Sequence, residues 1–351
     1  MRLLYSLILA IFLAASIAPR EGIAANQTVA TNASEQAAHD TIFNRAYSLI
    51  GARDFAGLNA MEKEFRTTRS RTPSGTWNLA AFYAGVEWKL KQSHLTERCA
   101  PYSPDFIKAW IEADPGQPAA HIVDGQLLLD RAWCFRGRGF ADHVEESDWV
   151  PFRDNADAAY HALADHKTVA VIDPEYYAVM ENVYRAQNKS ADKFGKLLNE
   201  AVSKEPYYYS LYFNAYYYFQ PQWHGSAAEE NVLAHFGMDR TRNEDGAGLY
   251  ARFYWSAFQN CGQCALNEHG MDWDVMKTAM DDVVKRYPHD WNFANFAKIA
   301  CRMADGPTAA KYLSALSAED KGQPWDDETE WRACQMFAGL YGSDGLPVRG
   351  R

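Results

Sequence analysis

The chain has 351 residues, of which 48 % are hydrophobic and 14 % aromatic, and its formal net charge is −10. That apolar share excludes intrinsic disorder. The acidic balance, with no run of Lys or Arg to offset it, argues against nucleic acid and anionic lipid as partners. The length exceeds the roughly 250–300 residues at which a single core stops growing, so two domains or an elongated array is expected.

The opening MRLLYSLILAIFLAASIAPREGIAAN places Arg2 before an apolar run from Leu3 to Ala18, with small residues at Gly22, Ala24 and Ala25. This is the order of a secretory signal peptide, and the run falls short of the roughly 20 residues that span a bilayer. The expectation is a signal peptide over residues 1–25, export to the periplasm or the medium, and no stable membrane insertion after cleavage. The six cysteines (Cys99, Cys134, Cys261, Cys264, Cys301 and Cys334) form an even set, which in an exported chain points to disulfides.

After a polar leader, apolar residues recur at helical spacing. Residues 36–50 carry Ile42, Ala46, Leu49 and Ile50 near one face, and 54–66, 76–90, 104–113 and 118–135 follow in the same style. Further helices are predicted over 155–170, 175–187, 190–203, 207–219, 227–236 and 246–259. The last group covers 271–286, 291–304, 307–316 and 326–340. Strand alternation is nearly absent; Thr168–Ile172 is the one brief candidate and reads better as a helix end. Asp114-Pro115, Asp173-Pro174, Glu205-Pro206 and Tyr287-Pro288 punctuate the pattern, each suited to end one helix and open the next.

Pro174 and Pro206 stand close to one tetratricopeptide period of ~34 residues apart, and Leu198, Ala201 and Pro206 keep the spacing of that repeat's second half. The predicted fold is all-α, an irregular array of helical hairpins of tetratricopeptide-like α-solenoid type. It divides into an N-terminal helical segment over 26–95 and a helical-repeat domain over 96–345.

Several stretches in order resemble one bacterial family, "domain of unknown function 4034". Ala132-Trp133-Cys134-Phe135-Arg136-Gly137-Arg138-Gly139 is similar to its A-W-x-x-R-G-x-G step, and Gln220–Ser226 (QPQWHGS) to its P-x-W-x-G-S turn. Gly246–Arg252, Tyr287-Pro288 and Asn295–Cys301 run in the same order, so the likeness spans roughly residues 75–340. Gln222 and His224 depart from the family, which more often shows a basic residue and a Gly there. The resemblance implies a helical, tetratricopeptide-like fold and no particular chemistry.

The stretch PYYYSLYFNAYYYFQPQWHGS (206–226) holds seven of the 20 tyrosines. On a helical wheel most of its aromatics fall on one broad arc, as a core helix requires, whereas Tyr207, Tyr217 and Tyr218 fall on or beside the polar side. Trp223 and His224 follow in a turn. With Trp133 and Arg136, the residues Tyr217, Tyr218, Trp223 and His224 are the candidate binding set. Gly137 or Gly139 reads as the glycine that ends the helix before it.

Cys261-Gly262-Gln263-Cys264 is a C-x-x-C without the strand context of a disulfide exchanger, so a structural bridge is the expectation. Whether those two pair with each other stays open. Cys301 and Cys334 lie on successive helical segments, which leaves Cys99 with Cys134. The ten histidines are scattered and no H-E-x-x-H occurs, so no metal or cofactor is expected. Glu145, Glu146 and Asp148, with Asp326, Asp327 and Glu328, offer carboxylates for glycoside chemistry, but acidic helix starts explain them more simply. The leading expectation is an exported, non-enzymatic repeat protein that binds a protein or peptide. The alternative is a cell-envelope enzyme acting on a polysaccharide or cell-wall substrate through an acidic pair.

Overall fold

The structure, a computed structural model, describes residues 34–92, 99, 103–137, 139, 141–221, 223–317 and 324–340. The signal-peptide segment, most of the polar leader, Arg138 and Gln222 lie outside these residues. Among the described residues there are 17 α-helices and no strand, so the all-α expectation holds.

The helices are α1 (Glu35–Ala52), α2 (Phe55–Thr68), α3 (Asn78–Gln92), α4 (Pro104–Ala113), α5 (Pro118–Arg136) and α6 (Glu146–Ala164). Then come α7 (Lys167–Ala170), α8 (Pro174–Ala186), α9 (Ala191–Lys204), α10 (Ser210–Tyr218), α11 (Ala227–Asp245) and α12 (Gly248–Cys261). The last five are α13 (Gln263–Asn267), α14 (Trp273–Arg286), α15 (Asp290–Arg302), α16 (Gly306–Leu313) and α17 (Glu328–Phe337).

The predicted joints fall between helices, but of their prolines only Pro174 opens the next helix; Pro115, Pro206 and Pro288 lie in the connections before α5, α10 and α15. Asp173 caps α8 by accepting the Glu175 N–H while Pro174 opens the first turn, where its missing N–H costs nothing. Asp54, Asp272, Asp305 and Asp327 cap α2, α14, α16 and α17 in the same way. Two boundaries differ from expectation. α6 starts at Glu146 rather than 155 and carries Pro151 inside it. α11 continues past residue 236 to Asp245, through Gly237, which is buried within the helix.

Two compact units form. Of the described residues, one unit comprises those within His39–Thr72 and Thr76–Ser226; the other takes those from Ala227 onward together with Pro73–Gly75 and Ser34–Ala38. In the first unit α5 packs on α6 and α8, and α10 packs on α8 and α9. Helix α8 is therefore enclosed, and every residue from Tyr176 to Val183 is buried. Trp110 is fully buried, and its indole N–H donates to Asn59 Oδ1 at 2.8 Å. In the second unit α12 packs on α11, α13 and α14, and α15 on α16 and α17. There the Ser74 carbonyl accepts from Arg252 (2.6 Å) and Asn292 (3.1 Å), and its N–H and hydroxyl both donate to Glu35 at 2.8 Å.

The tyrosine stretch is core on both faces. Tyr217 and Tyr218 are buried, which corrects the polar-side position read from the wheel. With neighbours α8 and α9 on two sides, α10 has little polar side left to offer. Tyr218 stacks on Phe194 with ring centres 3.9 Å apart, and its hydroxyl donates to the Lys189 carbonyl at 2.6 Å. Tyr212 and Tyr208 likewise spend their hydroxyls, on the Pro206 carbonyl (2.9 Å) and on Glu175 (2.5 Å).

Candidate functional site

Helix α5 ends where Gly137, at φ 67°, gives its N–H back to the Trp133 carbonyl. That left-handed turn fits the glycine reading of the sequence. It leaves Trp133 and Arg136 on the last turn of α5, beside the Cys99–Cys134 bridge. Trp223 reaches the same place from the turn after α10, where its N–H donates to the Gln220 carbonyl at 2.9 Å. The Trp133 and Trp223 rings meet edge to face, with centres 5.8 Å apart. Trp149 and Phe152 of α6 extend the aromatic wall, Phe152 lying 5.3 Å from Trp133 and 5.8 Å from Trp149.

Two guanidinium groups sit among these rings. Arg136 lies 5.6 Å from the centre of Trp133, 5.9 Å from Trp149 and 5.5 Å from Trp223. Arg185, on the last turn of α8, lies 5.3 Å from Trp133, 5.5 Å from Tyr217 and 5.7 Å from Trp223. Each ring face is worth roughly 0.5–2 kcal/mol to a cation, more as water is removed. Burial, and more weakly the charge of Arg136, push the Arg185 guanidinium down to about 10; burial also lowers Arg136.

Among the described residues no carboxylate pairs with Arg136 or Arg185, and Arg185 Nε is buried without a hydrogen-bond partner. Arg136 donates instead to the Gly137 and Gly139 carbonyls, at 3.3 and 2.8 Å. Glu181 stands one turn before Arg185, the spacing of a helical ion pair. Both its oxygens are nevertheless buried without partners, and burial, then the charge of Glu175, push its carboxyl well above the usual range. Two like charges, one of them with an unpartnered Nε–H, lie among three tryptophans, an arrangement that suits an anion carrying an apolar group beside it.

Of the six candidate residues, Trp133, Arg136 and Trp223 come together directly. Tyr217 joins them from the core through its face toward Arg185. Tyr218 and His224 stack on each other with ring centres 4.3 Å apart, and burial pushes the His224 imidazole down. Arg185, Trp149 and Phe152 were not legible. The one available signal, Glu181 four residues before Arg185, suggests a routine salt bridge that does not form.

The acidic groups that could have formed a catalytic pair lie at helix starts. Glu146 and Asp148 occupy the first turn of α6, Asp327 caps α17, and Asp326 pairs with Lys298 at 2.9 Å. A different carboxyl pair, Glu62 and Asp173, is fully buried, with Asp173 accepting from the Tyr83 hydroxyl at 2.7 Å. Burial and the neighbouring Glu62 push Asp173 well above the usual carboxylate range.

All six cysteines are bonded: Cys99–Cys134, Cys261–Cys264 and Cys301–Cys334. The open question at the C-x-x-C is thus resolved in favour of a local bridge. His269 lies over that bridge, its Nε2 3.4 Å from Cys264 Sγ and 3.8 Å from Cys261 Sγ. Its Nδ1 hydrogen-bonds the Glu230 carboxylate, whose side chain is fully buried. With its thiols reduced, this set of two sulfurs and one imidazole is close enough to hold a metal ion.

No helix among the described residues is long and apolar enough to cross a membrane. Comparison of the chain with family models, with curated proteins and with solved structures finds no match.

Proposed function

We propose that the chain is an exported helical protein that binds a peptide segment, taking a carboxylate of that segment between Arg136 and Arg185 and an adjoining apolar side chain against Trp133, Trp149 and Trp223. The observation that carries this reading is the pair of guanidiniums held on tryptophan faces with no carboxylate partner among the described residues. An uncompensated, partly buried cation is costly, and a site keeps such a cost where a ligand relieves it. Arginine's planar fork suits a carboxylate, and tryptophan supplies contact area at little cost in side-chain entropy. Export is supported by the N-terminal pattern and by three disulfides, which persist in oxidising compartments. The ordered resemblance of residues 75–340 to the bacterial family named above is consistent with a helical binding module.

The alternative, an envelope enzyme with an acidic pair, has one feature in its favour: Glu62 and Asp173 bring two carboxyls together, with Glu62 ion-paired to Arg66 at 2.5 Å. Both side chains are fully buried, which leaves a substrate no route to them.

A peptide array tests the proposal. Acidic, neutral and basic 12-residue peptides are probed with the mature protein, its Arg136→Met/Arg185→Met double variant and Trp223→Ala. Retention on acidic peptides, lost in both variants, is the expected result. Equal retention on all three classes, or binding that survives both variants, removes the site from the account.

A further inference from the structure

We propose that Cys261–Cys264 is a redox-active disulfide that exchanges with substrate thiols, with His269 as the proton donor at the leaving sulfur and Glu230 as the residue that positions it. This activity is independent of the anion site on the other unit.

The geometry supports an asymmetric attack. Cys261 is exposed, whereas Cys264 is half-buried and lies nearer to His269 Nε2. Gly262, between the helices that carry the two sulfurs, has a φ of 62° and open space at the place a Cβ would occupy. An incoming thiolate therefore meets Cys261 Sγ. The Cys261–Cys264 bond breaks, its electron pair leaves on Cys264 Sγ, and that sulfur takes the proton from His269 Nε2. A mixed disulfide joins the substrate to Cys261. The second thiol of a substrate dithiol, deprotonated by the now neutral His269, attacks the substrate sulfur and expels Cys261 as a thiolate. Two electrons and one proton have passed from the dithiol, which entered as its monothiolate, to the protein, which is left with Cys264 as a thiol and Cys261 as a thiolate.

His269 is held for this role. Glu230 accepts from Nδ1, which fixes the ring with Nε2 toward the sulfurs. Glu230 is fully buried and its other oxygen has no hydrogen-bond partner. Burial raises its carboxyl while His269 lowers it. A buried acid directed at a histidine that contacts a disulfide is more than a loop staple requires. Cys301–Cys334 supplies the contrast: Cys334 is buried, and the one polar contact of its sulfur is a weak one to the Ala297 carbonyl.

The test follows reduction of the mature protein by glutathione, with alkylation and mass spectrometry to read each pair separately. Cys261–Cys264 should open under conditions that leave Cys301–Cys334 closed. His269→Gln should slow that opening by roughly 100-fold, the usual worth of one acid–base group, at an unchanged melting temperature. Glu230→Gln should slow it by a smaller factor. In Cys264→Ser, Cys261 should form a mixed disulfide with glutathione disulfide, a readout that does not depend on the histidine variant folding. Opening no faster than Cys301–Cys334, or an unchanged rate in His269→Gln, would make the bridge structural. If the reduced protein instead takes up one zinc ion and no longer exchanges, the same residues form a metal site and the proposal falls.

Discussion

Replacing Arg185 by Met should stabilise the free protein while removing its binding. Burial pushes the Arg185 guanidinium down to about 10. At 1.36 kcal/mol per pH unit this corresponds to about 3 kcal/mol against the charged form. The side chain keeps some contact with water, and three ring faces return part of that cost, so the net penalty is about 1–2 kcal/mol. The sign follows from the direction. A base whose folded-state pKa is lowered costs stability wherever it stays charged, here throughout the range below about pH 10, and the cost fades only as pH rises above that. Methionine keeps an unbranched apolar stem against Trp133 and Trp223 and deletes the charge and the unsatisfied Nε. A unit of this size gains roughly 2–4 °C per kcal/mol, so the melting temperature at neutral pH should rise by roughly 2–8 °C. Differential scanning calorimetry at several scan rates reads it, with Arg185→Lys as the variant that keeps the charge. A fall in melting temperature for Arg185→Met would show that the guanidinium is compensated in the free protein, and the argument for an anion site would lose its basis.

Glu175, which accepts from the Tyr208 hydroxyl, is raised by burial to about 7. Its folded form holds the proton that the unfolded form has lost, so stability should decline between about pH 4.5 and 7. Glu175→Gln should flatten that slope by on the order of 1–3 kcal/mol in urea titrations. Replacing Cys301 and Cys334 together by Ala should cost about 3–4 kcal/mol in the unit that begins at Ala227, from the loop-closure entropy returned to the unfolded chain. A urea midpoint unchanged by that substitution would contradict it. A Cβ at Gly225 would lie 2.0 Å from the Phe219 carbonyl oxygen. Gly225→Ala should therefore displace the Trp223 turn, cost about 1–3 kcal/mol and weaken peptide binding, with near-UV circular dichroism reporting the tryptophan environment.

The helices and their joints were legible because proline acts locally, through its fixed φ and missing N–H, and at Asp173-Pro174 through a cap as well. The boundaries that slipped were those where packing outweighs the local signal. Pro151 sits inside α6, and Gly237, which reads as a helix end, lies buried in the middle of α11. The binding set was legible in part. Trp133, Arg136 and Trp223 stand in short motifs around glycine turns, and turns leave marks in sequence. Tyr217 and Tyr218 were assigned to a polar face because a wheel shows one helix and not its two neighbours. Arg185 was hidden by Glu181, whose spacing promises an ion pair that burial of the acid prevents. His269 was one histidine among ten until the fold laid it over the C-x-x-C.

Isothermal titration of a glutamate-rich 12-residue peptide onto the mature protein, at low and high salt, tests the central claim most directly. The account predicts one site per chain, weaker at high salt, absent in Arg136→Met/Arg185→Met and weakened in Trp223→Ala. No heat of binding in the wild-type protein at low salt, or binding unchanged in the double variant, would contradict it.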